Sequence, residues 1–329
     1  MRDEFKGEIN MIKSHRIKVF WYALEKYYTF FVLLILILIF SIISPMFLTI
    51  RNIINVLRQI SMLTMVAAGL TICRAAGEMD LSVGALAGFT GVVVAKLIVA
   101  GVNPLISVLL TLLLGITFGF LNGILVAILG VPSLIATLGT LSIARGAALT
   151  TTNGKAIYSD FPSGFAFIGE GYLGIIPFPV VIMTIVVVIT YLLLERSKLG
   201  RHLYAVGENM MAARLAGLPV TFYRILAMVL SSFMASIAGI VLVARLGSGQ
   251  PTAGGEYLME GLGAVFIGMT TFKPGQANTM GTLTGALLIG IIANGLLLLG
   301  ISTYIQEIIK GAIMIAAVIA AVYKEEINI

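Results

Sequence analysis

Two carboxylates, Glu78 and Asp80, stand inside an otherwise apolar region, in the stretch AGEMDLSVGA at residues 76–85. Gly77 and Gly84 flank them, and Arg74 precedes them. An ionised side chain near the middle of a bilayer costs about 2.5–3.5 kcal/mol. Acids persist at that depth where irregular backbone is buried in protein or lines a cavity. Two readings are open. One is a membrane helix broken midway, with Asp80 and Ser82 at the start of a half-helix that faces a pathway. The other is a short turn between two spans. Asp80 or Ser82 could also act only as a cap, satisfying the free N–H groups that open the next helix. Glu78 lies one helical turn from Arg74, close enough to pair with it.

Other polar groups within apolar runs are few. Arg145 and Lys310 read as buried basic residues engaged in charge pairing or carbonyl contacts. Asn122 and Asn294 are placed to bond between helices. Glu78, Asp80, Ser82, Asn122, Arg145 and Asn294 are therefore the candidates for a path or gate. The lone Cys73 excludes an intrachain disulfide and a multi-cysteine metal site. His15 and His202 lie in separate basic segments, which does not support a histidine metal cluster. No GxxxxGK[ST] pattern occurs, so the chain alone is not expected to hydrolyse ATP. No zinc-binding helix motif or nucleophile elbow is present either, so neither catalysis nor a cofactor is expected.

The elements that must carry these residues are membrane helices. The chain has 329 residues, 59% apolar and 11% charged, whereas a soluble domain is about 25% charged. Its net charge of +6 gathers near the ends of apolar runs, which indicates orientation in a bilayer rather than nucleic-acid binding. Residues 1–26 are basic and read as a cytoplasmic segment, with Trp21, Tyr22, Tyr27 and Tyr28 as an aromatic belt. Spans follow at about 27–47, 59–76, 81–100, 105–129, 132–152, 175–194, 222–246, 258–272, 281–299 and 304–323. Residues 48–58 read as an amphipathic segment on the outer surface, 153–174 as an outer loop, and 247–257 as an outer loop rich in turn formers. Residues 324–329 form a cytoplasmic tail.

The expected fold is an all-α polytopic membrane protein of about ten transmembrane helices, with both termini cytoplasmic. A single transmembrane domain covers 27–323. Two halves, about 27–152 and 175–323, share short matches: Asn122–Gly123 with Asn294–Gly295, GVPSLI with GISTYI, and Gly77–Glu78 with Gly255–Glu256. Five spans per half makes them inverted repeats, an arrangement common in transporters.

The largest basic loop, 195–224, is assigned to the cytoplasm. Within it GENMMAARLAGLP (207–219) reads as a short helix with Glu208 at its start and Gly217–Leu218–Pro219 as its stop. Ala212, Ala213, Leu215 and Ala216 offer a shallow apolar surface that could seat in a partner's groove or pack on the spans.

These stretches together resemble the sugar-type permeases of ATP-binding-cassette importers. AGEMDLSVGA is similar to their glycine-acid-DLSVG signature, although Ala76, Gly77, Glu78 and Met79 stand where the family usually has two glycines and an apolar residue. VPSLIATLGTLSIARGAAL, GRHLYAVGENMMAARLAGLPV, ARLGSGQPTAGGEYLMEGLGAVFIG and GTLTGALLIGIIANGLLLLGIS extend the resemblance from about residue 30 to 323. The resemblance implies a subunit of the bacterial inner membrane, paired with a second permease copy or paralogue. Its other partners would be an ATP-binding subunit and an extracytoplasmic sugar-binding protein. It further implies a coupling helix over Glu208–Leu218, with Ala212, Ala213 and Arg214 as contacts and Gly217 as the stop. Nucleosides, branched-chain amino acids and furanosyl signalling molecules are alternative cargoes within the same class. An ion-coupled carrier is a different class, and would depend on Glu78, Asp80, Glu260 or Glu307.

Overall fold

The computed structural model describes residues 29–327. The basic segment 1–26, including Trp21 and Tyr22, lies outside the described residues, as do Tyr27 and Tyr28. Helices α1 (Thr29–Ile43), α2 (Ile50–Ala75), α3 (Val83–Val99), α4 (Pro104–Ala127) and α5 (Ser133–Thr152) form the first part. A connection follows with β1 (Ile157–Tyr158), α6 (Ser163–Glu170), β2 (Tyr172–Leu173) and β3 (Ile176–Pro177). Then come α7 (Phe178–Tyr191), a π-helical turn at Leu192–Arg196, α8 (Lys198–Glu208) and α9 (Met210–Leu215). The chain closes with α10 (Val220–Leu246), β4 (Ser248–Gly249), α11 (Glu256–Gly268), α12 (Thr279–Leu298) and α13 (Thr303–Ile327). Among the described residues, six helical segments are long and apolar enough to cross a membrane: α2, α4, α5, α7 with its π turn, α10 and α12.

Helix α2 is the core of the bundle. Every residue from Ile60 to Cys73 is buried, as expected of a helix apolar on all sides. It packs on α10, α12, α7 and α11. Helices α4, α5 and α7 instead leave Leu109, Leu113, Leu138, Ile143, Ile185 and Ile189 exposed, the outward face of a membrane bundle. Gly115, Gly119 and Gly123 recur every four residues along α4 and meet α10. A Cβ on Gly119 would lie 2.6 Å from the Met228 carbonyl oxygen. This small-residue ridge lets the two backbones approach, the usual device where lipid removes the hydrophobic drive between helices.

The structure sharpens three expectations. Residues 50–58 are not a segment apart from the spans but the first turns of α2, opened by Thr49, whose side chain accepts the Asn52 N–H. Arg58 is placed within protein contacts: it donates to the Glu170 carbonyl at 3.0 Å and stacks 4.8 Å from the Tyr172 ring. Residues 247–257 form a turn-rich connection, and Ser248, Gly249, Pro251 and Gly254 within it are buried. After β4 pairs with β1, the chain runs down α3, with Gly249 against Ala95, Pro251 against Gly88 and Gly254 against Gly84. Small residues on both sides permit that path. The connection 153–174 is not a plain loop, because it holds β1 and α6, whose Phe165 is 1% exposed.

Candidate functional site

The break at 76–82 is built from four directions. Helix α2 ends at Ala75, and Gly77 turns the chain with φ of +78°, a conformation that favours glycine. The next residues are held by α5: Ser133 Oγ accepts the Met79 N–H at 3.3 Å, and Thr137 Oγ1 accepts the Leu81 N–H at 3.1 Å. Asp80 is fully buried, and its Oδ1 accepts the Ser82 N–H at 3.0 Å and the Ser82 hydroxyl at 2.5 Å. Asn122 on α4 donates Nδ2 to that hydroxyl at 3.1 Å. From α10, the Ser231 and Ser232 hydroxyls face the Asp80 carboxylate. Irregular backbone at this position is thus enclosed by protein, as a membrane interior requires. A solvated turn does not fit, since Glu78 is 5% exposed.

Glu78 does not pair with Arg74. Its partner is Arg224 near the start of α10, with Nε donating to Oε1 at 2.5 Å. The two are far apart in sequence, so helical spacing gave no cue. Ser82 occupies the cap position of α3 without a side-chain bond to that helix. Its hydroxyl is spent on Asp80 and Asn122 instead, so Asp80 rather than Ser82 supplies the local capping acceptor.

The proposed coupling segment divides in two. Glu208 closes α8 rather than opening the next helix, and Asn209 caps α9 by accepting the Ala212 N–H at 2.9 Å. An asparagine in extended conformation is a preferred N-cap, which explains the shift. Gly217, at φ +82°, ends the element. Ala213 turns inward at 4% exposure, packed with Val220 and Tyr223, while Met211 and Leu215 are 63% and 83% exposed. Ala212, Arg214 and Gly217 are exposed, and Leu218 is half-buried. The outward surface is therefore Met211, Ala212, Arg214 and Leu215.

At the same end of the bundle, α8 is tied to the connection between α11 and α12. Lys273 forms an ion pair with Glu195. Gln276 Nε2 donates to Glu208 Oε1 at 2.5 Å, and Tyr204 donates to the Ala277 carbonyl at 2.7 Å. Burial and the adjacent Glu195 carboxylate raise the Tyr204 phenol above its ordinary range, so it remains a donor throughout physiological pH.

The other singled-out residues lie elsewhere. Asn294 on α12 and Asn52 on α2 exchange two amide bonds, each 2.9 Å. Arg145 is exposed on α5, not buried. Lys310 on α13 is half-buried and ion-paired with Glu260 on α11. That pair sits in a cavity of about 540 Å³ between α2, α11, α12 and α13, with Gln59, Glu256, Gln306 and Glu307 also at its wall. None of Glu78, Asp80, Ser82, Asn122, Arg145 or Asn294 lines it. Sequence reasoning missed this convergence. The available signal was four ionisable residues, Glu256, Glu260, Glu307 and Lys310, at helical spacing in two apolar helices.

A multi-pass helical membrane protein with a broken, charged segment buried at its core and an exposed apolar knob at one end is built as a transport permease. The chain belongs to the family described as "Branched-chain amino acid transport system / permease component", whose profile matches residues 52–318. It is 40% identical over 290 residues to the ribose import permease protein of Escherichia coli K12, covering 87% of this chain and 90% of that one. The ribose import permease protein of Haemophilus influenzae is 38% identical over 298 residues, 90% of this chain and 92% of its own. The D-allose transport system permease protein of Escherichia coli K12 is 36% identical over 318 residues, 95% of each chain. No solved structure matches.

Proposed function

We propose that this chain is the membrane-spanning permease of an ATP-binding-cassette importer for a monosaccharide, working in the bacterial cytoplasmic membrane. The observation that carries this reading is the 36–40% identity, across about nine-tenths of the chain, to permeases named for ribose and allose. ATP would be hydrolysed by a separate subunit and sugar delivered by an extracytoplasmic binding protein.

In this reading ten helices cross the membrane, α1–α5 in one half and α7 with α10–α13 in the other, with both termini in the cytoplasm. The permease domain covers 27–323, between a cytoplasmic segment at 1–26 and a short tail. An inverted repeat is supported by matching breaks: Gly77–Glu78 precedes the short α3, and Gly255–Glu256 opens the short α11. Helix α9 is then the cytoplasmic coupling helix. Its displacement by the ATPase would reach the core through α8, which touches the break, and through the ties to the α11–α12 connection. The buried network around Asp80 holds the shape of the break, and Glu78 holds α10 to it.

The test is uptake in proteoliposomes containing permease, ATP-binding subunit and binding protein. Labelled D-ribose should enter only with ATP and the binding protein present. Uptake on a proton or sodium gradient without the ATPase would overturn the reading, and uptake of leucine in place of sugars would move it to another cargo. For the topology, a cysteine at Ser163 should be labelled from outside and one at Lys198 should not.

A further inference from the structure

Beyond the break, charged and amide side chains from four helices line the cavity between α2, α11, α12 and α13. Its volume of about 540 Å³ falls within the roughly 300–1,000 Å³ typical of small-molecule sites. Glu260 and Lys310 neutralise each other across it. Gln306 donates to the Ile301 carbonyl at 2.8 Å. Gln59, Glu256 and Glu307 are exposed and have no hydrogen-bonded or ion-paired side-chain partner among the described residues.

We infer that this cavity is a binding station for an uncharged polyhydroxylated ligand, and that its acidic wall turns anions away. The inference rests on the importer reading above and adds the place and the chemistry of the ligand. Carboxylates accept hydroxyl protons, and the glutamine amides both donate and accept. The hydroxyls of a polyol complement both, donating to the carboxylates and exchanging bonds with the amides. Ile267 and Met314 at the wall give an apolar surface for the C–H face of a ring.

Charge sets the selectivity. Three carboxylates, Glu256, Glu260 and Glu307, face one ammonium, Lys310, and that ammonium is already paired with Glu260. The carboxylate of an amino acid, or the phosphate of a sugar phosphate, finds no free cation in this wall. A cleft of one sign between low-dielectric walls concentrates the opposite sign and repels its own.

The test uses full-length permease in proteoliposomes, with Cys73→Ala as background. A cysteine is placed at the wall by Met259→Cys, and a control by Ile175→Cys, which is 88% exposed in the connection between β2 and β3. Labelling rates are measured with trimethylammonium-ethyl and sulfonatoethyl methanethiosulfonates. Relative to position 175, position 259 should favour the cationic reagent by about 10-fold or more. Glu256→Gln combined with Glu307→Gln should abolish that preference. Excess D-ribose should slow labelling at 259 and leave 175 unchanged. Equal charge preference at both positions would overturn the electrostatic claim. Failure of D-ribose, D-allose and L-arabinose alike to slow labelling would overturn the polyol station. Uptake separates the two readings: ATP-driven uptake without protection removes the station alone, and protection without ATP-driven uptake removes the importer alone.

Discussion

Gly207, near the end of α8, lies against Gly77 at the exit of α2, so closely that a Cβ on Gly77 would stand 3.0 Å from the Gly207 Cα. The reverse contact is tighter, because a Cβ on Gly207 would stand 2.3 Å from the Ala75 carbonyl oxygen and 2.7 Å from the Gly77 nitrogen. Two backbones meet with nothing between them. A shift of α8 must therefore be met by a shift at the break, where Glu78 fastens α10 and Ser82 fastens α4. This contact joins α8, which leads into the proposed coupling helix α9, to the segment that interrupts the core.

Gly207→Ala follows directly. The methyl group has backbone on two sides and no flexible side chain to displace, and overpacking of this kind costs about 1–3 kcal/mol. The permease should still insert, but binding-protein stimulation of ATPase activity should fall several-fold in the reconstituted importer. Gly146→Ala, with nothing within 4 Å of its Cβ, is the control. Equal stimulation in both variants would show that the glycine contact carries no motion.

The Glu78–Arg224 pair should behave as a buried ion pair. The side chains are 6% and 16% exposed, and removing one partner of such a pair leaves an uncompensated charge at a cost of about 3–5 kcal/mol. Glu78→Gln and Arg224→Met should each lower the melting temperature of the purified permease. Combining them should cost less than the sum of the two. Strict additivity in that cycle would mean that the contact contributes no coupling energy.

How much of this was legible in the sequence follows from what is local. Helix positions came from apolar runs, and α3, α4, α5, α10 and α12 begin and end within a few residues of the expected spans. The break was legible because Glu78 and Asp80 stand out against their neighbours. The partner of Glu78 was not, since Arg224 is distant in sequence and only packing brings it near. The start of α2 was missed because Arg51 and Arg58 set 48–58 apart from the apolar run after it, whereas Arg58 is absorbed by Glu170 and Tyr172. The course of 247–257 was missed because Gly249 and Gly254 suit an open turn as well as a close approach to α3. The cavity needed four separate helices, and its only linear trace was the spacing of Glu256, Glu260, Glu307 and Lys310 in two apolar runs.

The exposed face of α9 predicts a contrast between neighbours. Leu215→Asp alters a side chain that is 83% exposed, so the permease should keep its stability. It should nevertheless fail to co-purify with the ATP-binding subunit, and Arg214→Glu should weaken the same association. Ala213→Asp places a charge in a packed cluster beside Val220 and Tyr223, and should destabilise the permease itself. Normal co-purification of the Leu215 and Arg214 variants would remove α9 as the coupling helix.

The ties between α8 and the α11–α12 connection predict where loosening should appear. Tyr204→Phe keeps the ring and removes the hydroxyl that donates to the Ala277 carbonyl at 2.7 Å. A hydrogen bond of this kind contributes about 0.5–1.5 kcal/mol net. Gln276→Ala removes the adjacent bond to Glu208. The two bonds anchor the same short connection, so the double variant should free it more than either single change. Amide hydrogen exchange read by mass spectrometry should therefore accelerate at residues 270–277 in each variant and most in the pair. Exchange across Ile60–Cys73, buried throughout, should not change. If the connection is also the route by which α8 moves α11, binding-protein stimulation of the ATPase should fall in step with the exchange rate. Faster exchange with full stimulation would leave the ties as local braces and leave the Gly77–Gly207 contact as the path of coupling.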